Sequence, residues 1–141
     1  MADSDIEARL SALHTLLDGA VTGGVQRNEV IPREIPAAGL VIMRDGRPEV
    51  VDVTMPRTYH LDHDVEVEFY AQAASGREAV TDARRQEAGA AIDADRTLAG
   101  LCDWVEALPI ESDDLRVEGG EGIRLDTIRV TLSYATTNPL T

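Results

Sequence analysis

The sequence predicts an α+β fold, a mainly antiparallel sheet of about five or six strands with two principal helices packed on it. Three observations carry this. From Tyr59 to Gln72, Tyr59, Leu61, Val65, Val67, Phe69 and Ala71 sit at odd positions, with His60, Asp62, Asp64, Glu66, Glu68 and Gln72 between them. That period of two is a long strand with one buried face, to which His63 and Tyr70 are the exceptions. Near the start, Ile6, Leu10, Leu13 and Leu17 recur at the spacing of one helix face, widened by Leu16. Between the apolar runs lie connections of hairpin length, which favour antiparallel neighbours over crossovers.

The elements follow in chain order. Asp3 or Ser4 is the expected cap of a first helix running to about Asp18. Gly19, Gly23 and Gly24 end it. Val25–Ile31 reads as a short strand closed by Pro32, with Pro36 extending the connector. Leu40-Val41-Ile42-Met43 is an apolar run of strand length. Asp45-Gly46 after it is a hairpin signal, with Val50, Val51 and Val53 returning. Met55-Pro56-Arg57 turns the chain into the long strand.

Ser75-Gly76-Arg77-Glu78 fits a capping box with Ser75 as N-cap, opening an alanine-rich helix to about Asp95. Arg96–Leu101 is a compact turn, and Trp104–Ile110 a strand ending near Pro109. Glu111–Glu121, acidic and glycine-bearing, reads as an exposed loop, with room for a short strand at Leu115–Val117. Ile128, Val130, Leu132 and Tyr134 alternate with polar residues in the last strand, and Asn138-Pro139 breaks it before a loose end. With no repeat, linker or low-complexity tract, residues 1–141 are expected to form one domain.

Composition narrows the function classes. A chain of 15.3 kDa takes roughly 22,000 Å² of unfolded surface to about 7,000 Å², enough burial for a core. Hydrophobic residues make up 43% and aromatic ones 4%, so that core is aliphatic rather than aromatic. The net charge of −13 is a poor match for nucleic-acid phosphates or an anionic leaflet. Cys102 is a lone cysteine, so no intrachain disulfide forms. The acidic first residues lack a signal-peptide layout, and no apolar run approaches the ~20 residues of a membrane span. A protein folded in a cytoplasm, without membrane contact, is the expectation. All 13 basic residues are arginine, whose planar fork suits subunit interfaces.

Catalytic chemistry has little to stand on. His60, Asp62 and Asp64 share one strand face at about 7 Å spacing, near enough for a carboxylate–histidine or hard-cation site. Oxygen sites usually draw their ligands from a converging loop, so a solvated acidic face is the expected reading and no metal is assigned. Cys102 has acidic neighbours in Asp103 and Glu106, which disfavour a thiolate; a small buried thiol is expected. No G-x-S-x-G elbow is present, and Gly119-Gly120-Glu121-Gly122 lacks a P-loop lysine. Neither catalytic residues nor cofactors are assigned. Trp104 suits an interface anchor or a core position beside the alanine-rich helix.

Taken whole, the chain resembles the small tail terminator proteins of long-tailed phages and related prophages or gene transfer agents, the group that includes the lambda tail terminator. The resemblance runs nearly the full length. It lies in the N-terminal amphipathic helix, the Asp45-Gly46 segment, the long strand from Tyr59 to Tyr70, the alanine-rich helix, the Asp95–Glu106 segment, and the closing Val130–Tyr134 and Asn138-Pro139-Leu140. It implies a structural virion protein without an enzymatic step. Such proteins form a hexameric ring that caps the tail tube, ends tail polymerisation and joins tail to head. The implied partners are further copies of the chain, the tail tube protein and a head connector or stopper, with DNA passing through the lumen without specific binding. The implied place is the tail or neck of a virion assembled in the bacterial host cytoplasm. A stopper or adaptor ring is the neighbouring reading, and a small ligand-binding or metal-binding domain is the alternative of another class. Asp62, Asp64, Glu66 and Glu68, four carboxylates on one strand face, are the candidate lumen or interface face. Six copies at −13 would carry −78 in one ring.

Overall fold

The protein was analysed as a computed structural model that describes residues 3–30, 34–115 and 120–141. Ser4 starts the first helix: its hydroxyl accepts from the Glu7 N–H (3.2 Å), worth about 1 kcal/mol relative to alanine. This helix, α1, spans Asp5–Ala20. Strand β1 (Gln26–Arg27) follows, then β2 (Leu40–Thr54), β3 (Thr58–Gln72), helix α2 (Arg77–Ala94), β4 (Trp104–Leu115) and β5 (Ile123–Thr136).

The strands form one five-stranded sheet in the order β1-β2-β3-β5-β4. All the long pairs are antiparallel; β1 runs parallel to β2, which makes the sheet mixed. Both helices cover one face. Leu10, Leu13 and Leu17 of α1 and Ala88 and Ile92 of α2 pack with Leu61, Val65, Val67 and Phe69 of β3 and Val130 and Leu132 of β5. The other face carries a small apolar cluster at one end, Leu40, Ile42 and Tyr70 with Ile35, Ile123 and Leu125. Tyr70 breaks the alternation because it belongs to this second cluster.

Several elements depart from expectation. Asp45-Gly46 is not a hairpin. It is a bulge inside β2, where the register steps from Arg44↔Glu66 to Arg47↔Asp64. A glycine at φ 67° serves a bulge as well as a tight turn, and the chain turns instead at Met55-Pro56-Arg57, with Thr54 opposite Thr58. The valines 50, 51 and 53 therefore continue β2 rather than return from it.

The N-cap of α2 is Gly76 at φ 76°, not Ser75, and no side chain caps it. The expected strand at Val25–Ile31 is reduced to Gln26–Arg27, since Asn28 at φ 56° ends it; Ile31 and Pro32 lie outside the described residues. Strand β4 does not stop at Pro109. A bulge between Pro109 and Glu111 carries it to Leu115, so Glu111–Leu115 is strand rather than loop. Pro109 is tolerated because β4 is an edge, with one side facing no strand among the described residues. Val117 lies outside the described residues. The chain end is tied down, not loose: the Asp5 N–H donates to the Thr141 carbonyl (2.9 Å), and the Thr136 hydroxyl bonds the Asp5 carboxylate.

Candidate assembly surface

The open face of the sheet is built from the even positions of β3 and their cross-strand partners. Each candidate carboxylate has a defined neighbourhood there. Asp62 accepts from the Ser133 hydroxyl (2.8 Å), and Asp64 from the Thr131 hydroxyl (2.8 Å). Glu68 accepts from Arg44 Nε (2.5 Å) and from the Tyr70 hydroxyl (3.2 Å). Glu66 is exposed and stands in register between Arg44 of β2 and Arg129 of β5.

The expectation of an acidic face considered one strand alone. The neighbouring strands insert Arg44, Arg47 and Arg129 among the carboxylates, so the face is mixed in charge. A hollow of about 490 Å³ opens there, lined by Arg44, Arg47, Asp64, Glu66, Ile110 and Arg129. A second, largely apolar hollow of about 480 Å³ runs along α1 between Ala8, Ala12 and Leu16 and the Leu98-Ala99 turn.

The alternative chemical sites do not converge. His60 Nε2 lies 3.0 Å from the hydroxyl of Thr54, across the hairpin on β2. Among the described residues, no group of three or more His, Cys, Asp or Glu side chains is placed to hold a metal ion. Cys102 is buried, and burial pushes its thiol up to about 11, so it is a protonated packing group at neutral pH. Among the described residues, no helix is long and apolar enough to cross a membrane.

His63 has a structural task. It points to the helix face and is buried, and its Nε2 donates to the Asp45 carbonyl (2.5 Å). A carbonyl can only accept, so that nitrogen carries the proton. Asp45 is the bulge residue, and its other polar groups are also satisfied. Its N–H donates to Asn28 Oδ1 (3.0 Å), and its carboxylate takes Arg27 Nε (2.8 Å) and Nη2 (3.1 Å). Arg27 also grips Glu7 of α1 with both terminal nitrogens (2.7 Å each). The hydrogen bond to Arg27 holds the Glu7 carboxyl below its usual range against the cost of burial. Burial opposes the Asp45 charge, but Arg27 and Asn28 outweigh it and lower its pKa as well. One clasp thus joins α1, β1 and the bulge of β2.

Among the described residues, β4 and most of β2 are uncovered along their outer edges. Trp104, Leu108, Ile110 and Leu115 are exposed along β4. The Trp104 indole donates to Glu106 (3.1 Å), and the Arg96 guanidinium lies over its ring (5.2 Å). On the far edge, β1 pairs only with Ile42 and Met43, so β2 from Arg44 onward has no outer strand among the described residues. Val50, Val51, Val53 and Met55 are exposed there. Of these residues, sequence reasoning singled out Trp104 alone. A run of exposed valines in an unpaired strand looks, in sequence, like any other strand.

No family model matches the chain, and no curated protein matches it. Among solved structures, a chain from one described as "Virion of native gene transfer agent (GTA) particle" is similar to it. The likeness covers 91% of this chain and 90% of that chain, at 18% identity and a TM-score of 0.38.

Proposed function

We propose that this chain is a structural virion protein: the subunit of a hexameric ring that caps the tail tube of a phage or phage-like particle. In this reading the ring ends tail polymerisation, presents the surface that joins tail to head, and lets DNA pass through its lumen. It performs no enzymatic step. The observation that carries the reading is that, among the described residues, much of one sheet face and the outer edges of β4 and most of β2 are left uncovered, with exposed apolar residues on the edges. Soluble monomers usually blunt or cover such edges, whereas an assembling subunit needs them. The resemblance of nearly the whole of this sequence to tail terminators supplies the kind of assembly.

The test is negative-stain imaging of the purified chain, alone and added to tail tubes polymerising in vitro. Six-fold rings, and shorter tubes with a cap at one end, are the expected result. Tubes that grow unchanged overturn the capping role. A monomer whose melting temperature rises with calcium or zinc overturns the assembly reading in favour of a metal-binding domain.

A further inference from the structure

We propose that the occupant of the two open edges is a second copy of this chain: the outer edge of β4 in one copy pairs with the outer edge of β2, beyond Arg44, in the next, continuing the sheet from subunit to subunit. This rests on the ring reading for its biological setting but not for its geometry.

Four observations carry it. The edges lie at opposite ends of one sheet, and each is long: among the described residues, no strand pairs with the outer side of β2 from Gly46, just past the Asp45 N–H that Asn28 takes, to Thr54, or with that of β4 from Trp104 to Leu115. Their directions fit. Since β2–β3, β3–β5 and β5–β4 are all antiparallel, β4 runs opposite to β2, and a copy placed beside the sheet in the same orientation meets it antiparallel. Both edges expose apolar surface, with Val51 54%, Leu108 50% and Trp104 49% accessible.

Charge then selects among the pairings. β4 carries Glu106, Glu111, Asp113 and Asp114 with no cation, so β4 on β4 would bring eight carboxylates to one seam. Arg44–Arg57 carries Arg44, Arg47 and Arg57 against Asp45, Glu49 and Asp52, and is neutral. Joining β2 to β2 avoids repulsion but leaves β4 and Trp104 uncovered. Only β4 on β2 covers both edges with one kind of contact. Such a head-to-tail contact closes a ring when its rotation allows. Pro48 and Pro109 interrupt the hydrogen-bonding edges, which restricts pairing to particular registers.

The experiment uses the full chain with Val51→Cys in one preparation and Leu108→Cys in another, treated with a short bismaleimide. Cys102 is buried, and wild type supplies its background. Both positions are exposed, and circular dichroism checks that each variant folds. The mixed preparations are expected to link at least tenfold faster than either alone. Equal linking by Leu108→Cys alone would mean a β4–β4 seam, and by Val51→Cys alone a β2–β2 seam. Either result overturns the proposal, as does the absence of linking in the mixture at millimolar concentration.

Hydrogen exchange on the unmodified chain gives a variant-free reading. Amides in Glu49–Thr54 and in β4 are expected to slow together as concentration rises; slowing of one without the other overturns the seam. Rings that link through these cysteines yet leave tail tubes uncapped would sink the virion role and leave the seam standing. Capping by a chain whose cysteines never link would do the reverse.

Discussion

Strands β2 and β3 are neighbours of equal length, 15 residues each, yet they obey different rules. β3 alternates cleanly: Leu61, His63, Val65, Val67 and Phe69 are buried against the helices, while the residues between them face outward. β2 starts in step, with Val41 and Met43 toward the helices, then shifts register twice, between Arg44 and Arg47 and between Val50 and Asp52. The difference teaches where side-chain periodicity can be trusted. It reports the buried face of a strand that is paired on both sides. It fails in a strand whose ladder is interrupted at a sheet edge.

The largest expected break in this contrast lies in β3. Phe69 is fully buried in the main core, so Phe69→Ala is expected to cost about 3–5 kcal/mol by urea denaturation. Val51→Ala, at an exposed position of β2, is expected to stay within about 0.5 kcal/mol. Equal losses would mean that the two strands are buried alike in solution.

Next comes the bulge. A Cβ on Gly46 would sit 1.8 Å from the Asp64 carbonyl oxygen, and its φ is 67°. Gly46→Ala cannot be absorbed by rotating a side chain, because the obstacle is backbone. It is expected to cost about 1–3 kcal/mol, read as a lower denaturation midpoint. Gly89→Ala is the control. It lies in α2 with open space around the new methyl and is expected to stabilise by up to about 1 kcal/mol.

The smallest effect is electrostatic. The folded pKa values of Glu7 and Asp45 are depressed. So is that of Asp126, where burial opposes the charge but the Ser112 and Thr81 hydroxyls and the Arg124 and Arg85 guanidiniums outweigh it. A depressed carboxylate contributes stability that is present above the unfolded pKa and lost as pH falls through the folded one. Stability is therefore expected to fall as pH drops through and below the ordinary carboxylate range. Arg27→Gln should flatten that dependence, because it releases Glu7 and Asp45 together. An unchanged acid slope in this variant would mean that the clasp carries no net charge stabilisation.

The fold class, both helices and β3 were legible because each rests on local periodicity. The path of β2 was not, because Asp-Gly serves a hairpin and a bulge alike. What decides between them is remote: His63, Asn28 and Arg27 satisfy the polar groups of Asp45, and nothing in the Asp45-Gly46 dipeptide announces those partners. The far half of β4 was missed for a related reason. Glu111, Asp113 and Asp114 look like loop because a strand segment exposed on both faces has no need of apolar residues there. The carboxylate face was half legible. Its members on β3 follow from alternation, but Arg44, Arg47 and Arg129 join them only through the register of other strands.

The paired bulges of β2 have a consequence for how its sequence can change. A strand has two phases, and each extra residue switches from one to the other. The bulge at Asp45-Gly46 moves the outward positions from Arg44 onto Arg47 and Glu49; the one at Val51 moves them back onto Asp52 and Thr54. Each shift adds one residue to β2, so even-numbered positions share the outward face at both ends of the strand and odd-numbered ones in the stretch between. Loss of one residue at either bulge would erase that bulge and leave the pairing beyond it in place, whereas loss of one residue between them could be absorbed only by erasing a bulge and turning the residues in between to the other face. Single deletions in this arm are thus expected to be better tolerated at the bulges than between them.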